Sequence, residues 1–392
     1  MRTLAAMATL TLLASCDRSN PSTHVAPSVD SNGHSIAAPS ARSHDDASHD
    51  AAHDAAPEPS LRPLGVVDFH VDLGWAAHAK SARLTDEKRD ASLSRLVRGE
   101  VGTLVVPLYV SGAYAMPAAE ARREYERTFD DAAALFARDG NGTILEPFAG
   151  GTGNTGKIRV RVSFEGADGF ADAPEAAERW VARGVCLFGL VHSRSNALGG
   201  SSQDPSREKR KLGLTAVGQD LARRLVARGA VLDVAHASDK TVDDLLAIAE
   251  RANAPVIDSH TGARALVQID RNLDDAHMVR VAHTGGVVAL SLHSGHISQR
   301  PGEPATLDDV VAHAIHLRKI AGIDHVAIGS DLEGDILLPT GVEGAAVWPE
   351  LARRLASNGF SEAELRKLFR ENGERVFSWA QAHGCGGQSL AN

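Results

Sequence analysis

From residue 64 onward the chain repeats one pattern, a short apolar run followed by a longer stretch with helical spacing. Eight such runs stand out: LGVVDFH (64–70), GTLVVPLYV (102–110), IRVRVSFE (158–165), VCLFGLVH (185–192), AVLDVAH (230–236), APVIDSH (254–260), GVVALSLH (286–293) and HVAIGSD (325–331). The spacing between them predicts helices over 86–98, 118–137, 174–182, 216–228, 240–252, 274–282 and 307–320, with two more over 350–357 and 362–371. In TAVGQDLARRLVARG, Thr215 is placed to cap a helix start and Gly229 stands just past its end. Strands that read as apolar on both faces belong to parallel sheets covered on both sides. The alternation predicts an α/β fold, a (β/α)8 TIM-type barrel, with a doubly wound open sheet as the alternative. The ends of the runs favour the barrel, because seven of the eight finish in His, Glu or Asp. A barrel collects those ends on one rim, whereas an open sheet spreads them along a line.

The first residues do not belong to this pattern. MRTLAAMATLTLLASC has a basic Arg2, an apolar run too short to span a bilayer and small residues before Cys16. That layout predicts an export signal over 1–15. LLASC also resembles the bacterial lipobox, which makes Cys16 the expected lipid attachment site, with a plain secretory signal or a misplaced start as alternatives. The following segment to residue 60, with SHDDASHDAAHDAAPEPS, has almost no large apolar side chain and is expected to be a disordered tether. Its five histidines, His24, His34, His44, His49 and His53, fit a solvated spacer better than a metal site. The barrel is expected over 61–385, with a tail over 386–392. These features place the protein at the bacterial cell envelope, held by lipid on the periplasmic or outer surface of a membrane.

A formal net charge of −9, with basic residues scattered among acids, gives no face for nucleic acid. After Cys16 only Cys186 and Cys385 remain, too few for a disulfide scaffold. Cys186, inside a run, is expected as a buried free thiol.

On a strand, residues i and i+2 share a side, so His70 and Asp72 can both reach one ion while Val71 points away. Glu165, His236 and His260, at the ends of the third, fifth and sixth runs, add three more ligands. Imidazoles and carboxylates together suit zinc or a similar divalent ion. Five ligands suit two adjacent ions if one carboxylate bridges them, and Glu165 stands between the two pairs. Asp331, ending the eighth run, is the candidate general acid and base. His192 is a donor for an oxyanion, and the planar fork of Arg264 suits a substrate carboxylate, with an ordinary surface ion pair as its competing use. His293, ending the seventh run, and His296 beyond it are placed for substrate contact or for the core.

These residues, and the stretches GLTAVGQDLARRLVARGAVLDVAHASDKT, APVIDSHTGARAL, RNLDDAHMVRVAHTGGVV and IDHVAIGSDLEG, resemble the membrane (renal-type) dipeptidase family, binuclear zinc peptidases of the amidohydrolase-like barrels. The resemblance runs from about residue 66 to 377. It implies two zinc ions bridged by Glu165 and a hydroxide, with His70 and Asp72 on one and His236 and His260 on the other. It further implies Asp331 as catalytic acid/base, His192 as the contact to the substrate oxygen, and Arg264 as the clamp on the terminal carboxylate of a dipeptide. The sequence departs from the family pattern at Val71, where Asn is usual, at the EGAD that follows strand three, and at His293, where a tyrosine is common. A homodimer is consistent with this resemblance. Two rival functions stay open at this point. One is hydrolysis of another small amide, lactone or ester on the same scaffold. The other is a catalytically silent lipoprotein that binds metal or peptide.

Overall fold

The computed structural model describes residues 63–140, 142, 145–146, 157–300 and 303–386. The expected signal, Cys16 and the tether lie outside them. The strands are β1 (Val66–Asp68), β2 (Val101–Leu108), β3 (Leu145–Glu146), β4 (Ile158–Glu165), β5 (Leu187–Gly189), β6 (Val231–Asp233), β7 (Val256–Thr261), β8 (Val287–Leu290) and β9 (Val326–Ile328). All pairings between them are parallel. Their order is β2-β1-β9-β8-β7-β6-β5-β4-β3, and β2 also pairs with β4, which closes eight strands into a ring and leaves β3 as a short addition beside the start of β4. This is the expected (β/α)8 barrel, and its strand ends share one rim.

The helices are α1 (Leu73–Lys80), α2 (Leu93–Arg98), α3 (Ala118–Asp139), α4 (Pro174–Ala182), α5 (Ala216–Ala227), α6 (Asp239–Ala252), α7 (Asp275–His283), α8 (Ser294–Ile297), α9 (Leu307–Ala321), α10 (Trp348–Ser357), α11 (Glu362–Arg366) and α12 (Asn372–Ala382). Their starts follow local chemistry. Thr215 accepts from Gly218 N–H at the head of α5, Ser238 from Thr241 N–H at α6, and Thr306 with Asp309 forms a capping box at α9. Among the described residues no helix is long and apolar enough to cross a membrane.

Three expectations are corrected. The helix expected over 86–98 begins only at Leu93, because the Ser92 side chain caps it by accepting from Arg95 N–H. The helix expected to stop at 371 continues through a π-helical turn, Lys367–Glu371, into α12. There Asn372 donates to the carbonyls of Ile323 and Val326, and a Cβ on Gly373 would come within 2.6 Å of Val67, so this Asn-Gly pair fits α12 against β1 rather than ending a helix. Phe377 then stacks on Phe69 with ring centroids 5.5 Å apart.

The third correction concerns the cysteines. Cys186 is disulfide-bonded to Cys385, with Cα atoms 5.8 Å apart and a separation of 199 positions in sequence. Beyond α12 the chain reaches the segment between α4 and β5, where Gly386 N–H donates to O of Val181 in the last turn of α4, and the two cysteines meet at the end of the barrel opposite the ligand-bearing rim. Ring closure creates this proximity, and neither cysteine's neighbours in sequence show it.

Candidate active site

Most of the rim residues sit beyond the strand ladders, in backbone that leaves regular geometry, while Glu165 and His260 lie at the ends of β4 and β7. Asp72 stands at the N-cap of α1 without making a capping bond, and its Oδ2 faces His70 Nε2 at 3.5 Å. Val71 is fully buried and bridges to Leu332, turned away from the acids as alternation predicts. His236 and Asp331 both adopt positive φ, 64° and 67°, a conformation that costs a non-glycine residue free energy and recurs at functional sites. Glu165 is the last residue of β4. It pairs with Gly189, which in turn pairs with Asp233, so the Glu165 side chain has a glycine beside it in the ring.

Glu165 Oε1 lies at the centre of the cluster, 2.9 Å from His236 Nε2, 3.5 Å from His70 Nε2, 3.6 Å from His260 Nε2 and 3.7 Å from His192 Nε2. The Nε2 atoms of His236 and His260 face each other at 2.9 Å. Gln203 turns its amide oxygen to His236 Nδ1, so the ring proton belongs on Nδ1 and the Nε2 lone pair points into the cluster. His70 Nε2 is buried with no hydrogen-bond partner among the described residues. Lone pairs crowded in this way satisfy one another around cations, so the donor set fits divalent metal. Within the cluster three groups have ligand atoms within 4.8 Å of one another: His70, Asp72 and Glu165; Glu165, His236 and His260; and His70, His260 and Asp331. All five predicted ligands therefore come together, with Asp331 beside them.

Burial sets the electrostatics. It works against the His70 imidazolium, but the Glu165 and Asp72 carboxylates outweigh it and hold the ring at about 10. Burial lifts the Glu165 carboxyl to about 7. It also raises Asp331 well above the ordinary carboxylate range, with Asp72 and Glu165 adding to the effect and His70 opposing it. Burial and the Arg271 charge push His192 down to about 3, and burial takes His236 and His260 well below the usual histidine range, so these three rings are neutral.

A cavity of about 290 Å³ opens over the cluster, walled in part by Trp75, Tyr109, His192, Gln203, His293, His296 and Asp331. The His192 ring packs between Tyr109 and His236, with centroids 4.6 and 4.3 Å away. His293 lines the cavity while its Nδ1 accepts from Gly295 N–H.

Arg264 is placed differently from the other predicted residues. Its guanidinium pairs with both oxygens of Asp239 at 2.7 and 2.9 Å, reaches Asp274 at 3.4 Å, and donates to the carbonyls of Asn272 and Asp270. It does not line the cavity. Arg271, which does not line the cavity either, acts on the site through its charge; it is buried, donates Nη2–H to His260 O at 2.7 Å, and leaves Nε and Nη1 without a partner among the described residues. Its positive charge favours the carboxylate form of Glu165 and Asp331 and the neutral form of His192, His236, His293 and His296. The sequence holds a signal for it in the pair Arg271-Asn272 just before α7. Asn272 ties the loop together, accepting from Gly262 N–H and donating to the carbonyls of Val267 and His296.

Comparison with known proteins agrees with this geometry. The sequence profile of the membrane dipeptidases, peptidase family M19, matches residues 59–387. An uncharacterized dipeptidase of Schizosaccharomyces pombe is 30% identical over 221 residues, 56% of this chain and 53% of the yeast protein. The chain thus spans about half the length of the curated relatives it matches. Among solved structures, the metallopeptidase dipeptidase AC superposes with a TM-score of 0.68 at 24% identity, covering 82% of this chain and 98% of its own. A metallopeptidase from Rhodobacter sphaeroides, liganded with a phosphinate mimic of the dipeptide L-Ala-D-Ala, gives 0.67 at 23% identity, covering 80% of this chain and 99% of its own. At these identities the structures share the fold. Because the profile runs through all eight barrel strands and every residue of the donor cluster, the chain belongs to the membrane dipeptidase family, peptidase family M19.

Proposed function

We propose that the protein is a zinc-dependent dipeptidase that holds two ions among His70, Asp72, Glu165, His236 and His260 and hydrolyses small dipeptides. The observation that carries this reading is the convergence of those five donors, with no hydrogen-bond partner for His70 Nε2 among the described residues, beneath a cavity of about 290 Å³ that four of them line. Zinc held there supplies Lewis acidity toward the scissile carbonyl and makes water nucleophilic near neutral pH.

The chain's own residues supply the rest. Asp331, whose burial favours the protonated carboxyl, can hold a proton at its oxygen and release it to the nitrogen of the departing amine. His192, neutral and at the cavity wall, donates to the oxygen on which negative charge develops. Arg264 is already matched to acids, so we assign the substrate carboxylate to Arg271, whose Nε and Nη1 have no other partner among the described residues. Trp75 and Tyr109 wall the same cavity and exclude water from one side of it.

We also propose that the protein is exported and lipid-anchored through Cys16 at the surface of a bacterial membrane. The Cys186–Cys385 disulfide supports an oxidising compartment.

The test is a panel of dipeptides, including L-Ala-D-Ala, with and without a chelator. The proposal expects hydrolysis that the chelator abolishes and zinc restores. Absence of turnover across the panel by zinc-loaded protein would contradict it.

A further inference from the structure

Two buried carboxylates below the donor cluster make the same unusual set of contacts, and neither is a metal ligand. Asp68, 1% exposed on β1, accepts on Oδ1 from His70 N–H just past its own strand at 3.2 Å and from Ser330 N–H beyond β9 at 2.8 Å. Asp233, 6% exposed on β6, accepts on Oδ1 from Ala235 N–H just past its own strand and from Ser259 N–H of β7, both at 3.0 Å. In each case the neighbouring strand's residue is a serine directly before a site residue, Asp331 in one and His260 in the other. Each serine adds a second tie. Ser330 Oγ donates to His70 O at 3.1 Å, and Ser259 Oγ meets His260 Nδ1 at 2.9 Å.

Each carboxylate also binds the amide directly before a left-handed residue. Ser330 precedes Asp331, with φ of 67°, and Ala235 precedes His236, with φ of 64°. A non-glycine residue stays in that conformation only where its surroundings over-determine it, and buried amides past the end of a strand ladder must find acceptors.

We propose that Asp68 and Asp233 are positioning residues, each a two-strand clamp that uses one carboxylate oxygen to fix two site residues relative to each other: His70 with Asp331, and His236 with His260. This inference rests on the metal-centre reading. The clamp needs an acceptor oxygen rather than a charge, and an asparagine supplies that oxygen.

The experiment uses the full chain and four variants, Asp68→Asn, Asp68→Ala, Asp233→Asn and Asp233→Ala. Zinc affinity is read by competition with a chromophoric chelator, folding by thermal unfolding, and kcat and KM with a dipeptide. Asp233→Ala is expected to weaken zinc binding about 10–100-fold, the usual effect of removing a group that orients a metal ligand. Asp68→Ala is expected to lower kcat about 10-fold or more with a smaller change in KM. Both Asn variants are expected to stay within about threefold of the parent in zinc affinity and kcat. Asn variants as impaired as the Ala variants would overturn the clamp in favour of a charge effect, and Ala variants with parental zinc affinity and kcat would overturn it outright. Should an Ala variant fail to fold, the Asn variant decides alone: parental zinc affinity supports the clamp and its loss overturns it. If the parent binds zinc but turns over no dipeptide, the functional proposal fails, while the zinc affinities of the Asp233 variants still decide the clamp.

Discussion

Reducing the Cys186–Cys385 bond, or replacing both cysteines by serine, should lower stability without touching catalysis. The bond closes a loop spanning 199 residues. With about 200 residues in the loop, the chain-entropy relation gives about 5 kcal/mol at 25 °C, and native disulfides measured in small domains give about 2–5 kcal/mol. For a domain of about 320 residues, whose unfolding entropy scales with length, a loss of about 5 kcal/mol corresponds to a fall of about 7 °C in Tm. Both cysteines are buried, and they lie at the start of β5 and after α12, away from the rim that carries Glu165 and the histidines. Dipeptide turnover at 25 °C should therefore be unchanged in the reduced protein. The assay is calorimetry or urea unfolding of oxidised and reduced protein, with free thiols counted in the native state. Two reactive thiols in native protein purified from an oxidising compartment would refute the pairing. A double-serine variant with the parental Tm would refute the stabilisation, and one with impaired kcat would refute the separation of the two ends.

Other predictions concern the rim and its supports. Arg271→Met should raise KM for dipeptides about 30-fold or more, the scale of removing one partner of a buried charge pair. Arg264→Met, which breaks pairs with Asp239 and Asp274 outside the cavity, should leave KM within about threefold; steady-state kinetics on both variants distinguishes the two assignments. Gly334→Ala should lower kcat about 10–100-fold with the fold retained by circular dichroism, because its Cβ would come within 2.8 Å of both Asp331 Oδ1 and Asp72 Oδ2 and displace one of them. Asp139 is held well below its ordinary value of 3.8 first by Arg138, then by Arg83 and the Leu84 amide, with burial opposing. A depressed carboxylate stabilises the fold above its unfolded-state pKa, and that contribution fades as pH falls toward the folded value. Urea midpoints of the parent should therefore exceed those of Asp139→Asn at pH 7, with the gap closing below about pH 4.

The barrel and the donor cluster on its rim were legible because both reside in local pattern. Apolar runs mark strands buried on both faces, and the residues at their ends face one rim once the ring closes. The lengths of those strands were less legible. The run 230–236 gives only Val231–Asp233 as β6, since Val234 to His236 leave the ladder to bring His236 into its left-handed conformation. The surroundings of the two loop arginines were less legible for a related reason. Arg264 and Arg271 share the loop after His260, and only the folded path of that loop shows that Arg264 meets Asp239 while Arg271 donates to His260 O. The disulfide left no local trace, because its partners meet only through closure of the ring. In α12, Asn372 and Gly373 have the composition of a helix stop, and tertiary contact with Val326 and Val67 overrides it.

The most direct test of the central claim is a zinc titration of chelator-treated protein, following metal content and dipeptide hydrolysis together in the parent and in Asp331→Asn. The account predicts that parental activity rises to a plateau at two zinc ions per chain, and that Asp331→Asn binds the same two ions while losing at least about 100-fold in kcat. Full activity without metal, or an Asp331→Asn enzyme with parental kcat, would contradict it.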